Sequence, residues 1–282
     1  MKNHKIVGGG GIQLHLVETD NAETGNAETG NSSGRPILFI HGFSQCWRTW
    51  DRQMNSDLAN DHRLVAMDMR GHGLSDKPRD AYADSKLWAD DVNAAIQTLQ
   101  LDRPVLCGWS YGPLVILDYI RHYGEDDISG VVFVGAITKL GSEAAASMLT
   151  PEFLGLVPGF FATEEEKSRP SLESLLQLCF AQQPSAEDMR QMLQSALSVP
   201  VYVRQAMFSR SFDNDDLLPR MRKPVLIAHG ANDAVVKPAI VDEHKASLPH
   251  AQIQVMANAG HGAFWDDASA FNRQIHAFST SV

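Results

Sequence analysis

Three residues far apart in the chain have the types that nucleophilic acyl transfer needs: Ser110, Asp233 and His261. A serine hydroxyl is a poor nucleophile until a histidine takes its proton, and that imidazole needs an acid to hold its tautomer and steady its positive charge. Ser110 is centred in Gly108-Trp109-Ser110-Tyr111-Gly112, Asp233 closes His229-Gly230-Ala231-Asn232-Asp233, and His261 lies in Asn258-Ala259-Gly260-His261-Gly262. The chain order Ser, Asp, His is one in which such triads occur. On this reading Ser110 is the nucleophile, His261 the general base and Asp233 its orienting acid. The backbone N–H groups of Phe43 and Tyr111 are the candidate donors to an oxyanion.

These residues act together only if other elements gather them. The apolar run before Ser110 reads as a strand over 105–109 and the run after it as a helix over 113–122. Ser110 then sits on a tight strand-to-helix turn, a nucleophile elbow, where glycines at 108 and 112 leave room for the close approach of backbone. Further apolar strands are expected at 36–40, 63–67, 128–134, 224–228 and 251–256, and a half-buried alternating strand at 12–18. Helices are expected over 47–58, 85–99, 238–248 and 265–278. Asp233 and His261, like Ser110, then fall just beyond the C-terminal ends of strands. In an open parallel sheet that edge is where ligands bind.

Two other residues invite a chemical reading. His41 directly follows a buried strand and reads as a hydrogen-bonded structural histidine, with a catalytic base as the alternative. Asp68 opens Asp68-Met69-Arg70-Gly71-His72-Gly73-Leu74-Ser75-Asp76, a loop held by its own hydrogen bonds.

From 136 to 222 the alternation of strand and helix stops. Thr150 before Pro151, Thr163 with Glu166, and Ser185 with Asp188 mark helix starts, with prolines 158, 170, 184 and 200 separating short segments. The expected organisation is therefore an α/β core of residues 1–135 and 223–282, with a mostly parallel doubly wound sheet and a helical cap of residues 136–222 inserted in it. Met148, Leu149, Phe153, Leu154, Leu156, Phe160 and Phe161 are the cap residues suited either to line a pocket or to pack the cap on the core. Asn21-Ala22-Glu23-Thr24-Gly25 repeats at once as Asn26-Ala27-Glu28-Thr29-Gly30, which reads as a flexible polar loop over 19–34.

Composition narrows the function. The 282 residues carry 44 % hydrophobic and 21 % charged side chains, ordinary for a globular chain that buries a large core. A net charge of −10 argues against nucleic acid or an anionic membrane as partner. The glycine loop lacks the third glycine of a dinucleotide fingerprint, and neither a phosphate-binding P-loop nor a His-Glu-x-x-His metal motif occurs, so no cofactor and no metal are expected. Three cysteines, Cys46, Cys107 and Cys179, make no disulfide framework. With no apolar leader after Met1 and no membrane-length apolar run, a cytoplasmic location is expected. No pattern sets an oligomeric state.

The ordered set of His41-Gly42, the 68–75 loop, Gly108 to Gly112, Asp233 and Gly260-His261 resembles the α/β-hydrolase fold family. Within it the chain is similar to small bacterial serine esterases and to cofactor-free haloperoxidase-like enzymes, or perhydrolases. The resemblance implies a carboxylic-ester hydrolase acting on small-molecule esters through an acyl-serine. Peroxide-dependent perhydrolysis on the same triad is the alternative, and a receptor that keeps the hydrolase fold is another. Serine at the elbow departs from the epoxide hydrolase and haloalkane dehalogenase branches, which carry aspartate there. Pro113, where many relatives have glycine, suits the first turn of a helix.

Overall fold

A computed structural model describes residues 1–20 and 34–282 and places the apolar runs in one eight-stranded sheet. The strands are Lys2–Val7 (β1), Gln13–Glu18 (β2), Ile37–Ile40 (β3), Leu64–Met67 (β4), Val105–Trp109 (β5), Gly130–Val134 (β6), Val225–Gly230 (β7) and Gln252–Met256 (β8). Their order is β1-β2-β4-β3-β5-β6-β7-β8. The pairs β1/β2 and β2/β4 are antiparallel and the remainder parallel. Strands β3 to β7 are buried at every position, which is why their sequences run continuously apolar instead of alternating.

The segment expected as a half-buried strand at 12–18 is instead buried from Leu14 onward, because β1 takes the sheet edge beside it. The single helix expected over 47–58 is broken into a 3-10 turn Trp47–Trp50 and two short helices, Asp51–Met54 (α1) and Leu58–Asp61 (α2). Ser56 causes the break: its hydroxyl donates to the Gln53 carbonyl and accepts from Leu58 N–H, competing with the helical ladder.

Helices Ser85–Thr98 (α3) and Gly112–Tyr123 (α4) follow β4 and β5 and pack on one face of the sheet, where Trp88, Tyr111 and Tyr119 are buried. Between β6 and β7 lie Glu143–Ser147 (α5), Pro151–Phe160 (α6), Glu165–Cys179 (α7), Ala186–Ser198 (α8) and Val201–Ser209 (α9). Side chains of Ser142, Thr150 and Ser185 cap three of them. Thr163 does not cap, since Glu164 holds that position in α7 without a side-chain bond. Pro158 and Pro170 do not separate segments either; both lie inside helices, α6 and α7. Burial of Leu172, Leu175 and Leu176 carries α7 past the hydrogen bond that Pro170 removes. The insertion is pinched at its base, where Leu140 and Phe212 exchange backbone hydrogen bonds of 3.1 and 2.8 Å, and Asn214 Nδ2 donates to the Thr138 carbonyl at 2.9 Å.

The chain closes with Ile240–Ser247 (α10), β8, Ala263–Asp266 (α11) and Ala268–Ser281 (α12). One helix was expected over 265–278; Asp267, at φ −129°, divides it and caps α12 through Ala270 N–H. On this face Trp50, Phe264 and Phe271 form the aromatic centre of the core. Of the expected polar loop over 19–34, residues 21–33 lie outside the described residues.

Candidate active site

Ser110 has φ of 58°, a left-handed backbone that costs a non-glycine residue roughly 1–3 kcal/mol. The turn is held from behind by its own N–H, which donates to the Val134 carbonyl at 2.9 Å. Tight approach explains the flanking glycines: a Cβ at Gly108 would lie 2.7 Å from Gly112 and Pro113 backbone, and one at Gly112 2.5 Å from the Ile40 carbonyl oxygen. Tyr111, the N-cap of α4, and Phe43, in the loop after β3, make no backbone N–H donation to the described residues. Both residues line the same pocket as Ser110.

Asp233 follows β7. Its Oδ1 accepts from the N–H groups of Val235 and Val236, each at 2.8 Å, and its Oδ2 from His261 Nδ1 at 2.8 Å. Because a carboxylate only accepts, His261 carries its proton on Nδ1 and leaves Nε2 as the basic nitrogen. That nitrogen is buried and has no hydrogen-bond partner among the described residues, and His261 shares the pocket with Ser110. Free sites commonly close the nucleophile–base distance only when substrate binds. The His261 loop is fastened by Asp266, whose carboxylate accepts from Gly260 N–H at 2.7 Å and from the N–H groups of Ala181 and Gln182 at 3.0 Å each. Gly262 N–H donates to the Cys179 carbonyl at 2.7 Å, so the end of α7 and the histidine loop are latched twice. Asp266 was not anticipated; nothing in its sequence surroundings separates it from a surface acid.

His41 is fully buried. Its Nδ1 donates to the Gly42 carbonyl and its Nε2 accepts from Met69 N–H, so both nitrogens are committed. Burial pushes its pKa down against the pull of Asp68 and the Gly42 carbonyl. It is a structural histidine, as its place at a strand end suggests. For Asp68, burial works to raise the carboxyl, but the His15 hydrogen bond, the nearby His41 ring and the N–H groups of Leu74 and Trp47 outweigh it and hold the group below its ordinary value.

Ser110 lines a narrow pocket with a cavity volume of about 40 Å³. Apart from Ser110 and His261 its walls are apolar or weakly polar, with no lysine, arginine or carboxylate. Of the seven insertion residues singled out above, Leu149 and Phe153 line it; Phe160 packs behind Phe43 and Phe153, and Leu154 is exposed. Leu175, Cys179 and Phe208 also line it and were missed, because only packing distinguishes them from other buried helix residues. Phe208 meets the Phe43 ring edge-on at 4.9 Å. Behind the elbow, Arg210 Nη1 donates to the Tyr111 hydroxyl at 3.2 Å and Nη2 to Asp118 Oδ2 at 2.7 Å, tying the exit of the insertion to α4. Among the described residues no cluster of His, Cys, Asp and Glu is arranged to hold a metal ion, and no helix is long and apolar enough to cross a membrane.

A strained serine elbow at the C-terminal edge of a largely parallel sheet is the signature of one family, and comparison with known proteins agrees. Residues 35–268 match the family model described as alpha/beta hydrolase fold. The chain therefore belongs to the α/β-hydrolase fold family, and its class is that of a hydrolase. The solved esterase RhEst1 from a Rhodococcus species is similar at 31 % identity and a TM-score of 0.90, with 100 % of this chain and 99 % of that one covered. The AB hydrolase superfamily protein YisY of Bacillus subtilis is 28 % identical, covering 88 % of this chain and 92 % of its own. A non-heme chloroperoxidase of Streptomyces lividans is 27 % identical over the same shares.

Proposed function

We propose that the protein is a serine hydrolase that cleaves small to medium, largely apolar carboxylic esters through an acyl-serine intermediate. The observation that carries this reading is the His261 imidazole: fixed by Asp233 on one side, with an unpartnered Nε2 in the pocket that also holds Ser110. Ser110 Oγ attacks the ester carbonyl while His261 Nε2 takes its proton. The N–H groups of Phe43 and Tyr111 receive the oxyanion, a contribution of about 3–4 kcal/mol per donor. His261 then passes the proton to the leaving alkoxide, and a water activated by the same nitrogen hydrolyses the acyl-serine. The helices of residues 136–222 serve as the cap, and the absence of charge on the pocket wall suits a neutral, apolar acyl group.

Similarity to a non-heme chloroperoxidase favours a second reading, in which hydrogen peroxide replaces water in the second half-reaction and releases a peracid. Steady-state hydrolysis of a p-nitrophenyl ester series of increasing acyl length, on the wild type and on Ser110→Ala, tests the proposal. Multiple turnovers that disappear in the variant are expected. A folded wild type that turns over no member of the series would instead favour a binding protein on the hydrolase fold. Added peroxide with peracid trapping separates the two enzymatic readings.

A further inference from the structure

Behind the Asp233–His261 pair lies a second histidine that the reaction scheme does not use. His229, in β7, is buried, and its Nε2 lies 3.2 Å from Asp233 Oδ2 and 3.3 Å from the Val236 carbonyl oxygen. Both neighbours are acceptors, so Nε2 must carry the proton. Asp233 Oδ2 is the same oxygen that receives His261 Nδ1. The acid thus has three donors, two backbone N–H groups on Oδ1 and His261 Nδ1 on Oδ2, while the His229 N–H, hydrogen-bonded to Val236, lies beside the same Oδ2.

We infer that His229, hydrogen-bonded to the pocket-wall residue Val236 beside the Asp233 carboxylate, is a positioning residue for the catalytic pair, and that it sets the pH at which His261 becomes available as a base. The inference rests on the serine-hydrolase reading above. The ionisable groups around His229 are Asp233 and His261 on one side and His244, from α10, on the other, with Lys139 beyond His244. Burial lowers the pKa of His229 against the pull of Asp233, and His261 lowers it further. Burial, His229 and Lys139 push His244 down to about 4. His229 is therefore a neutral donor. The N–H dipole of a neutral His229 beside Oδ2 stabilises the carboxylate charge and so weakens its pull on the His261 imidazolium. Without it, His261 protonates more readily and the base is lost at a higher pH.

The test compares wild type, His229→Leu and His229→Gln in the pH profile of kcat/KM on a p-nitrophenyl ester, with active sites counted by a phosphonate. In His229→Leu the acidic limb is expected to rise by roughly 0.5–1 pH unit, a loss of about 3- to 10-fold below the limb. His229→Gln, which keeps an N–H donor in the side chain, is expected to recover at least half of that shift. A limb in His229→Leu that stays put or falls, in protein whose active sites titrate fully, overturns the inference. A histidine that merely fills space would lower thermal stability and leave the limb where it is. NMR titration of His261 in ¹⁵N-histidine-labelled protein must show the same displacement without any substrate. A wild type that turns over no ester would thus defeat the serine-hydrolase reading, while the NMR titration alone still decides for or against His229.

Discussion

Among the described residues, two buried aspartates, Asp68 and Asp233, each hold a histidine Nδ1 on one plan. Asp68 accepts His15 Nδ1 at 2.8 Å, with Trp47 and Leu74 N–H groups at 2.8 and 3.0 Å completing its shell. Asp233 accepts His261 Nδ1 at 2.8 Å, with Val235 and Val236 N–H groups in the same role. Both carboxylates have fully buried side chains. The difference lies in the second ring nitrogen. His15 Nε2 is within 2.9 Å of Asn3 Oδ1, which closes the ring off, whereas His261 Nε2 has no partner and shares a pocket with a serine on a strained turn. An acid–histidine pair is thus a structural staple by default. It becomes a candidate catalytic base only where the second nitrogen is left unsatisfied beside a nucleophile.

Exchanging each acid for its amide separates the two roles. Asp233→Asn is expected to cut kcat by about 10⁴-fold, through loss of the correct His261 tautomer, in a protein that still unfolds cooperatively. Asp68→Asn is expected to do the reverse. Its new amide hydrogens face existing donors, which costs about 3 kcal/mol in urea unfolding, while kcat per titrated active site stays within a few-fold of wild type. Equal losses of kcat in the two variants would erase the distinction.

A third buried acid sharpens the comparison. Asp118 faces the Arg210 guanidinium, yet burial outweighs that partner and pushes its carboxyl up to about 6. A folded-state value above the unfolded one means that the native protein holds the proton more tightly across the window from about pH 4 to pH 6. Stability owed to Asp118 is greatest below that window and is lost as pH rises through it. The stability of wild type minus that of Asp118→Asn, from urea unfolding at a series of pH values, is therefore expected to fall between pH 4 and pH 6. A rise would contradict the assignment. The smallest effect belongs to Asn3→Ala, which frees His15 Nε2. It is expected to cost about 0.5–1.5 kcal/mol and leave turnover untouched, since an open nitrogen without a neighbouring nucleophile does no chemistry.

Much of this was legible in the sequence because parallel strands buried on both faces leave long apolar runs, and the residues after each run must meet at one sheet edge. Ser110, Asp233 and His261 could be placed at that edge on those grounds alone. Lys2–Val7 was not recognised as a strand because only Ile6 in it is buried, so the edge it forms has no apolar signature. Prolines 158 and 170 misled because local propensity marks a helix end, and tertiary burial of the leucines after Pro170 overrides it. The pocket walls contributed by Leu175, Cys179 and Phe208, and the Asp266 latch, depend on how separate segments meet, which no local pattern encodes.

The pinch between Leu140 and Phe212 has a consequence for how the chain can change. Seen from the sheet, everything between those residues is the tip of a hairpin whose two stems stand side by side, and closing such a loop depends only logarithmically on its length. The adjacency of β6 and β7 asks nothing of the five helices beyond that neck. A change in the length of that loop leaves the neck itself as it is, whereas the bonds of Thr150, Cys179 and Arg210 to the core fix how the helices lie on it.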